Sequence, residues 1–131
     1  MTRRRRTSRG RLRLASDGWI AGVRQIPSPN ADARPVETPV SLIVLHNISL
    51  PPGHFGGYDI LKLFTNTLNP GAHPLYPVLA RLNVSAHFVI RRNGCLIQCV
   101  SCQKRAWHAG ASQWQDRPRC NDFSIGIELE G

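Results

Sequence analysis

The sequence predicts an α/β fold, and three observations carry that prediction. Leu42, Ile43, Val44 and Leu45 form an unbroken apolar run bounded by Pro39 and by Pro51-Pro52-Gly53, which reads as a short strand buried on both faces. Residues 58–68 carry Ile60, Leu61, Leu63, Phe64 and Leu68 at helical spacing, with Asp59 in the first turn. Residues 122–130 alternate cleanly, Ile125, Ile127 and Leu129 on one face and Ser124, Gly126, Glu128 and Glu130 on the other. Within 131 residues these elements make one domain with a real core.

The charge must be divided before it is read. Residues 1–13 hold seven arginines and no acid, so the net charge of +9 leaves only +2 for the rest of the chain. The basicity belongs to an extension over residues 1–17, expected to be solvated and disordered, rather than to a folded surface. Such an extension touches nucleic acid or anionic lipid without specificity. Only Leu12, Leu14 and Ala15 follow the arginines as apolar residues, too few for a secretory signal, and no run reaches membrane-spanning length. A cytoplasmic location is the expectation.

In chain order, residues 18–23 suggest an edge strand, and Pro27, Pro29, Asn30, Asp32 and Pro35 mark an extended surface loop. Residues 47–57 form a proline- and glycine-rich loop in which Gly53, Gly56 and Gly57 bend the backbone beside the end of the first strand. Residues 74–82 predict a second short helix with Leu75, Val78, Leu79 and Leu82 on one stripe, and Pro77 fits only its first turn. Residues 86–92 and 95–100 flank Asn93-Gly94, a hairpin signal in which both turn positions take positive φ. Cys95 and Cys99 fall in the alternating strand pattern and read as small hydrophobes, although Cys99 and Cys102 have the spacing of a metal or redox pair.

Several residues invite chemistry. His46 falls at the carboxyl end of its strand, where ligands gather in open α/β sheets. An imidazole held there suits a metal ligand or a proton-transfer group, and equally a strand cap bonded to a loop. His87 shares a face with Val89 and Arg91 and is either structural or site-facing. Trp107 and His108 could stack on a sugar or peptide, or close the edge of the core. Glu128 and Glu130 are solvated carboxylates or an acid/base group, and Gly126 leaves room for something to approach the backbone.

Six stretches then match a known family: residues 44–53 (VLHNISLPPG), 55–57 (FGG), 84–87 (VSAH), 90–94 (IRRNG), 104–110 (KRAWHAG) and 119–131 (RCNDFSIGIELEG). The chain resembles, from about Gly18 to Gly131, the cytoplasmic 1,6-anhydro-N-acetylmuramoyl-L-alanine amidases of AmpD type, zinc enzymes related to the peptidoglycan-recognition proteins. The resemblance implies a mixed central β-sheet flanked by helices and hydrolysis of the amide between anhydro-muramic acid and L-alanine in cell-wall recycling. It implies zinc as cofactor, His46 as the first zinc ligand and Glu128 as the catalytic carboxylate. Asn47, Trp107 and Arg119 match positions lining the muropeptide cleft, Arg119 facing a substrate carboxylate.

The family carries two further zinc ligands, a histidine and an aspartate, in a segment after the strand that ends at Gly131. Residues 18–131 are therefore expected to be the N-terminal part of a zinc amidase domain, with the remaining ligands beyond residue 131 and no activity on their own. The expected partner is the muropeptide, met by a monomer with no membrane contact and no specific nucleic acid. A muropeptide-binding module without catalysis is the alternative.

Overall fold

The computed structural model describes residues 10–131. The strands and helices run β1 (Arg24–Gln25), β2 (Ala31–Ala33), β3 (Leu42–Ile48), α1 (Asp59–Phe64), α2 (Tyr76–Leu79), β4 (Phe88–Ile90), β5 (Leu96–Gln98), β6 (Lys104–Ala106), β7 (Gln113–Trp114), β8 (Arg117–Pro118) and β9 (Ser124–Glu130). A turn of 3-10 helix, Cys120–Phe123, leads into β9. Five strands form one sheet in the order β1-β5-β4-β9-β3. Only β4 and β5 pair antiparallel in it, so the sheet is mixed, as expected. The pairs β2–β6 and β7–β8 stand apart as small antiparallel ribbons.

The alternation of β9 places it inside the sheet. It is paired in parallel on both sides, with β3 along all seven residues and with β4 along three. The core gathers Ile60, Leu61, Leu63 and Phe64 of α1 with Tyr76, Ala86, Val89 and Ile97. The Tyr76 ring is fully buried, and its hydroxyl donates to Asp59 Oδ2 at 2.6 Å, tying α2 to α1.

Strand β3 departs from the expectation of burial on both faces. It is the outer strand of the sheet, and its side chains alternate, with Ile43 and Leu45 62% and 63% exposed. The apolar run signalled a strand correctly, but among the described residues nothing packs on its outer face.

The hairpin forms around Asn93-Gly94, though not with two positive φ angles. Arg91 N–H donates to Cys95 O and Gly94 N–H to Arg91 O, and in this turn Gly94 alone has positive φ (85°). That is a three-residue loop, a type I turn closed by a glycine bulge. Asn93 instead accepts the Cys95 N–H through Oδ1, at 2.9 Å.

Both helices are shorter than their apolar spacing predicts. The first ends at Phe64, because Asn66 turns to φ 60° and exchanges two amide bonds with Asn30. The second is one turn, and Leu75, Val78 and Leu82 of the predicted stripe are exposed while Tyr76 turns inward.

The expected surface loop around Asn30 also differs. Asn30 is buried and its amide donates to Val84 O at 2.9 Å, and the residues after it form β2. Residues 18–23 form no strand beyond an isolated bridge. Leu14 bridges Ile20 and Ala15 N–H donates to Trp19 O, closing a turn that Ser101 and Gln103 hold through Asp17 O and Ser16 O. The expected boundary after residue 17 thus falls inside a hydrogen-bonded turn. The arginines before residue 10 lie outside the described residues.

Candidate active site

The strand register brings two of the expected residues together. His46 on β3 lies directly opposite Glu128 on β9, and in-register partners on neighbouring strands present their side chains to the same face. Glu128 Oε2 is buried with no hydrogen-bond partner among the described residues. Burial raises this carboxyl to about 7, so it exchanges a proton near neutral pH. Burial also lowers the basicity of His46, which favours the neutral imidazole and its lone pair.

Glu130, on the same face two residues on, is different. Arg91 Nε lies 3.0 Å from its Oε2, and its Oε1 accepts the Gly56 N–H. This carboxylate fastens the 53–57 loop to the end of β9. Gly53, Gly56 and Gly57 all take positive φ there, as the bends require.

His46 opens onto a cleft of about 280 Å³ lined by Leu42, Val44, His108, Trp114 and Cys120, among others. Two of these, His108 and Trp114, are the site residues that sequence reasoning left out or left open. His46 Nε2 lies 2.9 Å from His108 Nδ1, and His108 Nε2 lies 3.0 Å from Ser124 Oγ. The His108 ring crosses β9 at Gly126, where a Cβ would come within 2.4 Å of it. Burial, with His46 and His87 nearby, drops the His108 pKa to about 3. The Trp107-His108 motif was a visible signal. Trp114 sits in a polar stretch that gave none.

His87 is structural. It is fully buried, its Nε2 faces Lys104 O at 2.8 Å, and its Nδ1 accepts the Gly126 N–H at 3.1 Å. Those two bonds fix it as the neutral Nε2–H form, and burial lowers its pKa to about 4. Arg34, unnoticed in its loop, donates to the carbonyls of Asn121, Asp122, Cys102 and Ser124 at 2.9–3.1 Å and so locks the 3-10 turn to the start of β9.

The remaining expected residues are not brought to His46. Asn47 points to the opposite face of β3 and donates to Gly131 O at 3.3 Å. Trp107 is half-buried between β6 and the loop, with its backbone bonded to Ser85. Arg119 is largely exposed and lies 3.4 Å from Asp122. It lines a second groove, of about 510 Å³, with Arg105, Arg117 and Phe123. Cys99 is a core residue whose thiol burial raises to about 12, which makes it unfit as a ligand pair with Cys102.

Among the described residues, no group of three or more His, Cys, Asp or Glu side chains is arranged to hold a metal. His46 offers one neutral nitrogen and Glu128 an unpaired buried oxygen. These fit one protein ligand of a zinc site and its neighbouring base. No helix of the described residues is long and apolar enough to cross a membrane.

Known proteins resemble this chain in sequence and fold. The chain is 58% identical over 118 residues to the 1,6-anhydro-N-acetylmuramyl-L-alanine amidase AmpD of Escherichia coli K12, covering 90% of this chain and 64% of that protein. It is 49% identical over 114 residues to AmpD of Haemophilus influenzae, covering 87% of this chain and 62% of that protein. The chain therefore spans a little under two thirds of the length of these relatives. A crystal structure of a selenomethionine AmpD derivative superposes with a TM-score of 0.87 at 58% identity, over 91% of this chain and 66% of the other. The solution structure of Citrobacter freundii AmpD gives 0.59 at the same identity, over 91% and 64%. Residues 36–131 match the family model described as N-acetylmuramoyl-L-alanine amidase, and the chain belongs to that family.

Proposed function

We propose that this chain carries the His46–Glu128 half of a zinc-dependent amidase site that cleaves the amide between anhydro-N-acetylmuramic acid and L-alanine, in cytoplasmic cell-wall recycling. The observation that supports it is the register of β3 and β9, which sets a neutral imidazole opposite a buried carboxylate, unpaired among the described residues, on one face of the sheet. His46 would hold the metal. When bound, zinc polarises the amide carbonyl and lowers the pKa of water. Glu128, with a pKa near neutrality, takes the proton from the attacking water at Oε2 and returns it to the leaving L-alanine nitrogen. The low-dielectric setting that raises its pKa also strengthens each of these contacts.

Arg119 is assigned to a substrate carboxylate on the family resemblance; its guanidinium is 74% exposed and lines a groove separate from the His46 cleft. Trp107 and Asn47 are assigned to the same substrate on the family resemblance, and the working unit is a monomer.

A catalytic zinc takes three protein ligands, and His46 is one. We expect this chain, dialysed against zinc-free buffer, to retain no stoichiometric zinc and to release no peptide from an anhydromuropeptide. A chimera in which the C-terminal third of the E. coli relative follows Gly131 should hold zinc and release peptide. Within it, His46→Ala should lose the metal, and Glu128→Gln should keep the metal and lose turnover. Unchanged zinc in the His46→Ala chimera would refute the assignment.

A second reading is a binding module without catalysis, favoured by the absence of a three-ligand group among the described residues. Calorimetric muropeptide binding by this chain, with a chimera that stays inactive when zinc-loaded, would establish it.

A further inference from the structure

His46 and His108 form a pair that the proposed chemistry does not use. Their rings meet edge to face at 74°, with centroids 5.1 Å apart. His108 is held from three sides. Its backbone N–H and that of Ala109 both donate to Asn121 Oδ1, at 3.1 and 2.9 Å. Its Nε2 meets the fully buried Ser124 hydroxyl at 3.0 Å. Its ring lies so close over Gly126 that no other residue fits beneath it.

A neutral N···N contact holds one proton, and the proton has two places to sit. In the first arrangement His108 Nδ1–H donates to His46 Nε2. His46 then carries its own proton on Nδ1, and neither ring nitrogen has a free lone pair. In the second, His46 Nε2–H donates to His108 Nδ1, and His108 Nε2–H donates to Ser124 Oγ. His46 Nδ1 is then left with an open lone pair. Only the second gives a nitrogen that can ligate. Histidines that bind metals as a rule give their other N–H to a fixed acceptor, and His108 is such an acceptor.

We propose that His108, fixed by Ser124 and Gly126, is the positioning residue that holds His46 as its Nε2–H tautomer and leaves Nδ1 as the ligating atom. The inference rests on the reading of His46 as a ligand, and the tautomer itself can be measured without metal or turnover.

The test is a long-range ¹H–¹⁵N correlation spectrum of the metal-free chain labelled with ¹⁵N-histidine. We expect one Nε2–H tautomer at His46. His108→Ala and Gly126→Ala should each turn it into a mixture. His108→Asn, whose amide reaches about where Nδ1 stood, should restore the single form. In the zinc-binding chimera, His108→Ala should weaken zinc binding on the order of 10- to 100-fold, with recovery in His108→Asn. An Nδ1–H tautomer in the unmutated chain would overturn the proposal, and that arm needs no variant to fold. A His46 tautomer unchanged in a folded His108→Ala protein would overturn it as well. A fixed tautomer together with zinc binding indifferent to His46→Ala would sink the ligand reading and leave only the tautomer control.

Discussion

Glu128 and Glu130 stand on one face of β9, two residues apart, and among the described residues only Glu130 is ion-paired. Arg91 Nε forms an ion pair with Glu130 Oε2 and the Gly56 N–H donates to its Oε1, while Glu128 Oε2 is buried with neither an ion pair nor a hydrogen bond among the described residues. The same residue type thus serves two ends, set by what each meets. Glu130→Gln is expected to cost about 2 kcal/mol of stability, the scale of a charge-assisted bond lost from a largely buried site. Glu128→Gln is expected to cost nothing at neutral pH and to gain stability instead. Urea midpoints of the two variants at pH 7 compare them directly, and a destabilised Glu128→Gln protein would mean its carboxylate has a partner in solution.

The pH dependence should show opposing slopes. Glu128 has a folded pKa of about 7, above the ordinary carboxylate value, so the folded state binds the extra proton. Its contribution is present in full below about pH 4.5 and is lost as pH rises toward 7. His87 and His108 have folded pKa values of about 4 and 3, below the ordinary imidazole value. Their contribution is present above about pH 6.5 and is lost as pH falls toward 4 and 3. The two effects offset one another between pH 4.5 and 6.5. Thermal midpoints of Glu128→Gln should therefore fall more steeply with acid in that window than those of the unmutated chain. Parallel curves would contradict the assignment.

Arg105 joins three elements. Its guanidinium takes both oxygens of Asp32 on β2, at 2.8 and 2.6 Å, and Asp122 Oδ1 at 2.6 Å in the 3-10 turn. Lysine cannot reproduce that fork. Arg105→Lys should cost about 1–2 kcal/mol by urea unfolding. The Arg105 hydrogen bonds hold Asp32 below the usual carboxylate range, so its contribution is present at neutral pH and lost on acidification below about pH 4. The gap between Arg105→Lys and the unmutated chain should narrow there.

Tyr76→Phe removes one hydroxyl from a fully buried ring and leaves Asp59 without its 2.6 Å donor. We expect a loss of about 1–2 kcal/mol in the denaturation midpoint, with no change in the β-sheet signal by circular dichroism. An unaffected midpoint would show that Asp59 turns to water without cost.

Much of the fold could be read in the sequence because periodicity reports which faces are buried. The alternation of β9 and the Asn-Gly hairpin needed no tertiary information, and the helical spacing around Ile60–Phe64 found α1. What failed depended on distant contacts. Nothing local says that β3 lies at the edge, or that Asn66 stops α1 by meeting Asn30. The pairing of His46 with Glu128 is a register, visible only once the strands are aligned, and the family resemblance supplied both names before the geometry did. His108 was noticed for its ring, but its partners Ser124 and Gly126 are separated from it by the Arg119–Asp122 turn and the β7–β8 ribbon.

The place of β9 between β3 and β4 has a consequence for how this chain matures on the ribosome. The strand that carries Glu128 is made after every other described strand, and it pairs with strands made long before it. Until it emerges, β3 has no partner in the main sheet and Arg34 lacks the Asn121, Asp122 and Ser124 carbonyls that it will bind. Loop-closure entropy must be met before these distant pairings stabilise anything, which makes their formation slow. A nascent chain stalled before residue 124 holds His46 on a strand unpaired in the main sheet with no Glu128 beside it, so the His46–Glu128 juxtaposition forms only after β9 emerges.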